Sequence, residues 1–214
     1  MDEDITVINT TTRNEKIINF FIKNKKKLVI LLSLIILLIL SYFAYGEFDK
    51  RSKIKIANKY NNSIINFISG DKLNVESEMI KIINAKDKTY SPLALYFLLD
   101  NNVINSKEKI NSLFDILINE TKVDKEINNL IIYKKALYNS EFETENNLLK
   151  ILNPVINSES IWKSHGLYLM AEYFLSKNEK QKSKEFFEKI LILENSNENI
   201  KLEAQKKLSR DFSE

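Results

Sequence analysis

The sequence predicts an all-α protein: a single N-terminal transmembrane helix followed by an α-solenoid of helical hairpins. Three observations lead there. Leu28 to Tyr45 is a run of 18 residues without a charge. Glycine (3) and proline (2) are scarce in the 214 residues, which argues against turn-rich β-architecture. Beyond the apolar run, Leu, Ile, Phe and Tyr recur at helical spacing, and no strand-like alternation persists.

The apolar run is long enough to cross a membrane. At 1.5 Å per residue it spans roughly 27 Å, against a hydrocarbon core of ~30 Å. A cleaved export signal has a shorter apolar region, about 7–15 residues. One feature favours cleavage, the small-x-small triplet Ala44-Tyr45-Gly46. Lys23, Lys25, Lys26 and Lys27 precede the run without an acid among them, whereas Glu47 and Asp49 follow it before Lys50, Arg51, Lys53 and Lys55. The positive-inside rule therefore predicts a cytoplasmic N-terminus, and Tyr42, Phe43 and Tyr45 suit the aromatic belt at the far side. The expected organisation is a cytoplasmic tail over 1–27, a span over 28–45 in the bacterial inner membrane, and a periplasmic domain over 46–214. The tail is polar and charged, so disorder is expected to about Asn14, then helix.

The domain reads as a series of short helices. Ala57, Tyr60, Ile64, Phe67 and Ile68 make the first stripe, closed by Ser69-Gly70-Asp71 as a C-cap glycine and turn. Val75, Met79, Ile80 and Ile83 make the second. A third helix is expected near Tyr90-Ser91-Pro92, with Ser91 as N-cap and Pro92 in the first turn, ending at Asp100-Asn101-Asn102. Ile110, Leu113, Phe114, Leu117 and Ile118 form an i, i+3, i+4, i+7, i+8 face. Ile127 to Tyr138 and Phe142 to Leu152 follow, the latter stopping before Pro154. Ile161 to Leu175 pairs with Phe186 to Leu193, and Ile200 to Leu208 is a last amphipathic helix.

The clearest repeat unit is "SHGLYLMAEYFLSKNEKQKSKEFFEKILILEN", Ser164 to Asn195. It resembles a tetratricopeptide repeat. Leu167, Met170, Ala171 and Phe174 take the first helix's packing positions, Asn178 the turn, and Ser183, Phe187 and Ile190 the second helix's. Small residues at Ala171 and Ser183 would let two antiparallel helices approach closely. Tyr133, Ala136, Ser140, Leu149 and Leu152 repeat the scheme upstream, and Tyr90 to Glu120 and Ala57 to Ala85 follow it more loosely. The expectation is about four hairpins and a capping helix, enough to share a continuous core.

The layout of basic tail, single span and degenerate repeat domain resembles the YfgM-like family of ancillary SecYEG translocon subunits. Their repeat domain is related to that of the cell-division coordinator CpoB. The resemblance implies a periplasmic domain that binds other proteins, linking the translocon to periplasmic chaperones.

No enzyme is predicted. His165 is the one histidine, and cysteine is absent, so neither a histidine metal cluster nor thiol chemistry is available. Three glycines make neither a P-loop nor a dinucleotide fingerprint. Glu185 and Glu188 read as solvated, as do Glu141, Glu143 and Glu145 around a turn. A net charge of +3 with arginine only at Arg13, Arg51 and Arg210 gives no case for nucleic acid. No catalytic, metal or cofactor-binding residue is assigned, and no cofactor. Function is expected to lie in shape, in a concave groove lined by the first helices of the hairpins. Tyr96, Lys134, Tyr168 and Glu172 are positions off the packing face there. Two other readings stay open: an envelope assembly protein, self-associating through Leu202 and Leu208 or coordinating division, and a cytoplasm-facing adaptor, for which Lys50 to Lys59 speaks.

Overall fold

A computed structural model describes the backbone of residues 2–212 and the side chains of 13–71 and 74–212. All regular structure among the described residues is α-helical. The chain divides into two compact units, Met1–Lys55 and Ile56–Glu214. The first helix, α1 (Asp2–Ile68), supplies residues to both.

In the first unit α1 is helical from Asp2, so the disorder expected to Asn14 is replaced by helix. The apolar side chains of the 28–45 run are exposed, and none of the most apolar stretch is buried within the chain. This helix is long and apolar enough to cross a membrane. Just past the run, Glu47 pairs with Arg51 at 2.8 Å and Asp49 with Lys53 at 2.5 Å, acid before base at i, i+4.

The second unit continues from Ile56 through α2 (Lys72–Asn84), α3 (Tyr90–Asp100), α4 (Lys107–Asn119) and α5 (Lys125–Asn139). It ends with α6 (Glu145–Ile156), α7 (Lys163–Ser176), α8 (Lys180–Leu191) and α9 (Glu198–Asp211). The helices stop for local reasons. Gly70 (φ 96°), Asn102 (φ 49°) and Asn178 (φ 61°) each take the left-handed conformation just past a helix. Asp71, Val103 and Glu179 N–H groups then donate back to Asn66, Leu98 and Phe174 carbonyls at 3.1, 2.9 and 2.9 Å, the Schellman closure. Asn178 thus does the work expected of it, since a short polar side chain tolerates this conformation.

Two expected boundaries move. Ser91 is not a cap: it lies inside α3 and its buried hydroxyl donates to the Ile82 carbonyl at 2.8 Å, tying α3 to α2. The Asp87 carboxylate caps instead, accepting from the Thr89 and Tyr90 N–H groups at 2.9 and 2.8 Å. Pro154 does not stop α6 either. The helix continues to Ile156 because Val155 is fully buried and holds the last turn down.

Packing follows the stripes. Ile110, Leu113, Phe114 and Leu117 on α4 are all buried, against Met79, Leu95 and Leu98 among others. Leu148, Leu152, Met170 and Phe174 form a second cluster, and Leu167, Ala171, Phe187, Ile190 and Ala204 a third. At the closest approach of α7 and α8, Ser183 donates to the Ala171 carbonyl at 2.9 Å, with both residues fully buried. Gly166 serves the α6–α7 contact: a Cβ there would meet Ile156 Cγ2 at 2.9 Å. Successive helices pack together from α2 to α9, and α2 also touches α4, α5 touches α7, and α7 touches α9. Rings join α1 to α3, Tyr60 to Tyr90 at 5.6 Å and Phe67 to Phe97 at 5.2 Å. Ion pairs bridge helices two apart: Lys109 to Glu76, Lys182 to Glu145 and Lys207 to Glu172, at 2.6, 2.8 and 2.8 Å. Such part-exposed pairs contribute modestly, about 0–1 kcal/mol each.

Candidate protein-interaction surface

A largely apolar depression lies between α3 and α5, about 360 Å³ in volume. Pro92, Leu93 and Tyr96 line it from α3 at i, i+1 and i+4, and Ile127 and Leu130 from α5 at i and i+3. Lys88, Thr89 and Asp124 form part of its lining and bring polar character. Leu93 and Ile127 stay 41% and 42% exposed, although both belong to otherwise packed helices. The volume lies in the range of ordinary binding clefts, about 300–1,000 Å³.

Of the four positions read from the sequence, Tyr96 lines this cleft and Lys134 contacts its ring. Lys134 Nζ sits 4.8 Å from the centre of the Tyr96 ring, a cation–π contact. Burial pushes the Tyr96 hydroxyl up to about 12, so it stays protonated as a donor. That oxygen is buried and no described residue hydrogen-bonds to it. The other two positions are elsewhere. Tyr168 packs on Phe187 of α8 at 5.5 Å, and Glu172 is ion-paired to Lys207 of α9, so α8 and α9 take up this stretch of α7. Leu208 is also used inside the chain, against the third cluster, which leaves Leu202 as the exposed half of the expected self-association contact.

A second surface was not legible in the sequence. Leu149, Ile156, Leu167 and Phe186 line a cleft of about 630 Å³ among α6, α7 and α8. Beside it Ile161 and Ile192, 63% and 81% exposed, share a depression of about 600 Å³. Both residues continue apolar stripes, so periodicity assigns them to the core. They escape it because they lie outside α7 and α8, in the connections where the stripe no longer has a fixed direction.

His165 sits in an aromatic group, 5.7 Å from Tyr133 and 4.9 Å from Trp162, which stack on each other at 5.9 Å. Desolvation holds its imidazole below the usual 6.5, opposed by the Ile161 backbone. The unfolded state therefore binds the proton more readily. Stability is fully present above pH ~6.5 and falls as pH drops toward the lower folded value. Urea midpoints at pH 7.5 and 5.5 are expected to show this loss, and His165→Phe to shrink it. Among the described residues no group of three His, Asp or Glu side chains is placed to hold a metal ion.

No family model, curated protein or solved structure matches the chain.

Proposed function

We propose that the chain is a membrane-anchored protein-interaction module. Residues 28–45 anchor it, and the second unit presents apolar clefts to other polypeptides. The observation that carries the reading is the α3–α5 cleft, where Leu93 and Ile127 leave apolar surface in water beside a buried hydroxyl with no partner among the described residues. An extended or helical peptide with an apolar side chain fits such a cleft. The contacts of α2 with α4, α5 with α7 and α7 with α9 support a stack of tetratricopeptide-like hairpins, in which first helices line a shared groove.

Charge supports a cytoplasmic N-terminus. Residues 23–27 hold four lysines directly before the run, whereas after it the first basic residue is Lys50, beyond Gly46, Glu47, Phe48 and Asp49. The helical unit then lies outside the cytoplasm. The resemblance to ancillary translocon subunits makes the Sec translocon and periplasmic chaperones the partners to test first.

A photo-crosslinking residue at position 93 or 127 in the full chain, in native membranes, is expected to capture a discrete polypeptide. Leu93→Asp with Ile127→Asp is expected to abolish that capture while changing stability by less than about 0.5 kcal/mol, as part-exposed positions do. Unchanged crosslinking from a nearby position in the double variant would refute the cleft as the docking site. Recovery of neither translocon nor chaperones would refute that choice of partner.

A further inference from the structure

Before the span, α1 carries a second membrane-directed feature. Ile17, Ile18, Phe21 and Ile22 lie at i, i+1, i+4 and i+5, on one side of the helix, and all are exposed. Lys16, Lys23, Lys26 and Lys27 fall on the opposite side, together with Asn19. The apolar side runs on from Phe21 and Ile22 to Leu28, Val29 and Leu32, which line one shallow depression with Lys25. Residues 13–27 hold six basic side chains (Arg13, Lys16, Lys23, Lys25, Lys26, Lys27) against Glu15 alone, a net +5.

We propose that residues 13–27 bind the anionic phospholipid headgroups of the membrane that the span crosses. The inference rests on the reading of 28–45 as a span. That run already fills the hydrocarbon core, so at 1.5 Å per residue Ile17 lies roughly 16 Å before its start, outside the core. The exposed Ile17, Ile18, Phe21 and Ile22 there are covered by lying in the headgroup layer, apolar face down, with Phe20 at the edge of the lysine face. The lysine face then meets phosphate, and charge selects anionic lipid over neutral. The helix has a place to bend. The Asn24 side-chain amide donates to the Phe20 carbonyl at 2.9 Å, competing with the backbone ladder at the junction of the two stretches. Lys25, inside the apolar arc, reaches the headgroups along its methylene stem.

The chain has no cysteine, so single-site labels are clean. The full chain carrying a nitroxide at Ile17→Cys, Asn19→Cys or Leu37→Cys is reconstituted in nanodiscs of phosphatidylcholine, alone or mixed with phosphatidylglycerol. Collision with an aqueous nickel chelate is then measured. Position 17 is expected to be shielded in the phosphatidylglycerol discs and open in the neutral ones, with position 19 open in both. Molar salt, or the set Lys16→Gln, Lys23→Gln, Lys26→Gln and Lys27→Gln, is expected to cut the shielding at 17 by more than about tenfold. Equal accessibility of 17 and 19 in the mixed discs overturns the proposal, as does shielding of 17 that ignores lipid charge. Position 37 reports separately. Shielded in both discs, it upholds the span whatever 17 does; open to the chelate, it refutes the span and the proposal with it.

Discussion

Phe174→Ala is expected to cost the helical unit about 3–5 kcal/mol, the usual range for emptying a buried phenylalanine site. Phe174 is 1% exposed and stands at the centre of the second cluster. Its ring lies 5.4 Å from Phe186 and 5.7 Å from Tyr173, and Lys182 Nζ sits 5.0 Å from its centre. Truncation removes all of these contacts, and the backbone of α7 and α8 has little freedom to close the gap, because Ser183 and Ala171 already hold the pair at close approach. A domain of ordinary stability has about 5–15 kcal/mol to lose. Urea unfolding followed by helical circular dichroism reads the change directly. Ile192→Ala, at an 81% exposed site, is the control and is expected to stay within about 0.5 kcal/mol. A loss below 1 kcal/mol in Phe174→Ala would mean that α7 and α8 do not pack as described.

Charges in the apolar run have the other large effect. Ile36→Asp with Leu37→Asp is expected to weaken insertion by about 5–7 kcal/mol, since an aspartate at a span's centre costs about 2.5–3.5 kcal/mol. Both residues are exposed on α1, so nothing in the chain's own packing opposes the change. The wild-type chain is expected in the carbonate-resistant membrane fraction and the double variant outside it. Retention of the variant in that fraction would show that 28–45 does not anchor the chain.

Much of the helical pattern was legible in the sequence, because each helix needs one buried face and period sets that face. The α4 stripe was read from residue type and spacing, and the small pair Ala171 and Ser183 and the turn at Asn178 from the likeness to a repeat unit. What periodicity cannot supply is the neighbour that covers a face. Tyr96 on α3 and Lys134 on α5 meet, while Tyr168 is taken by Phe187 of α8 and Glu172 by Lys207 of α9, and nothing in their spacing tells these cases apart. Cap chemistry also depends on competing partners. Ser91 precedes a proline as a cap should, yet the nearby Ile82 carbonyl claims its hydroxyl and Asp87 supplies the cap. The exposed Ile161 and Ile192 were hidden for the converse reason, since residue type marked them as core.

The proposed anchored module has its helical unit on the side away from the cytoplasm, and cysteine labelling in intact spheroplasts reads that orientation. Single variants Ile192→Cys and Asn19→Cys are treated with a membrane-impermeant maleimide before and after lysis. Labelling is expected at 192 in intact spheroplasts and at 19 only after lysis. Labelling at 19 in intact spheroplasts, with 192 protected until lysis, would contradict it and place the helical unit in the cytoplasm.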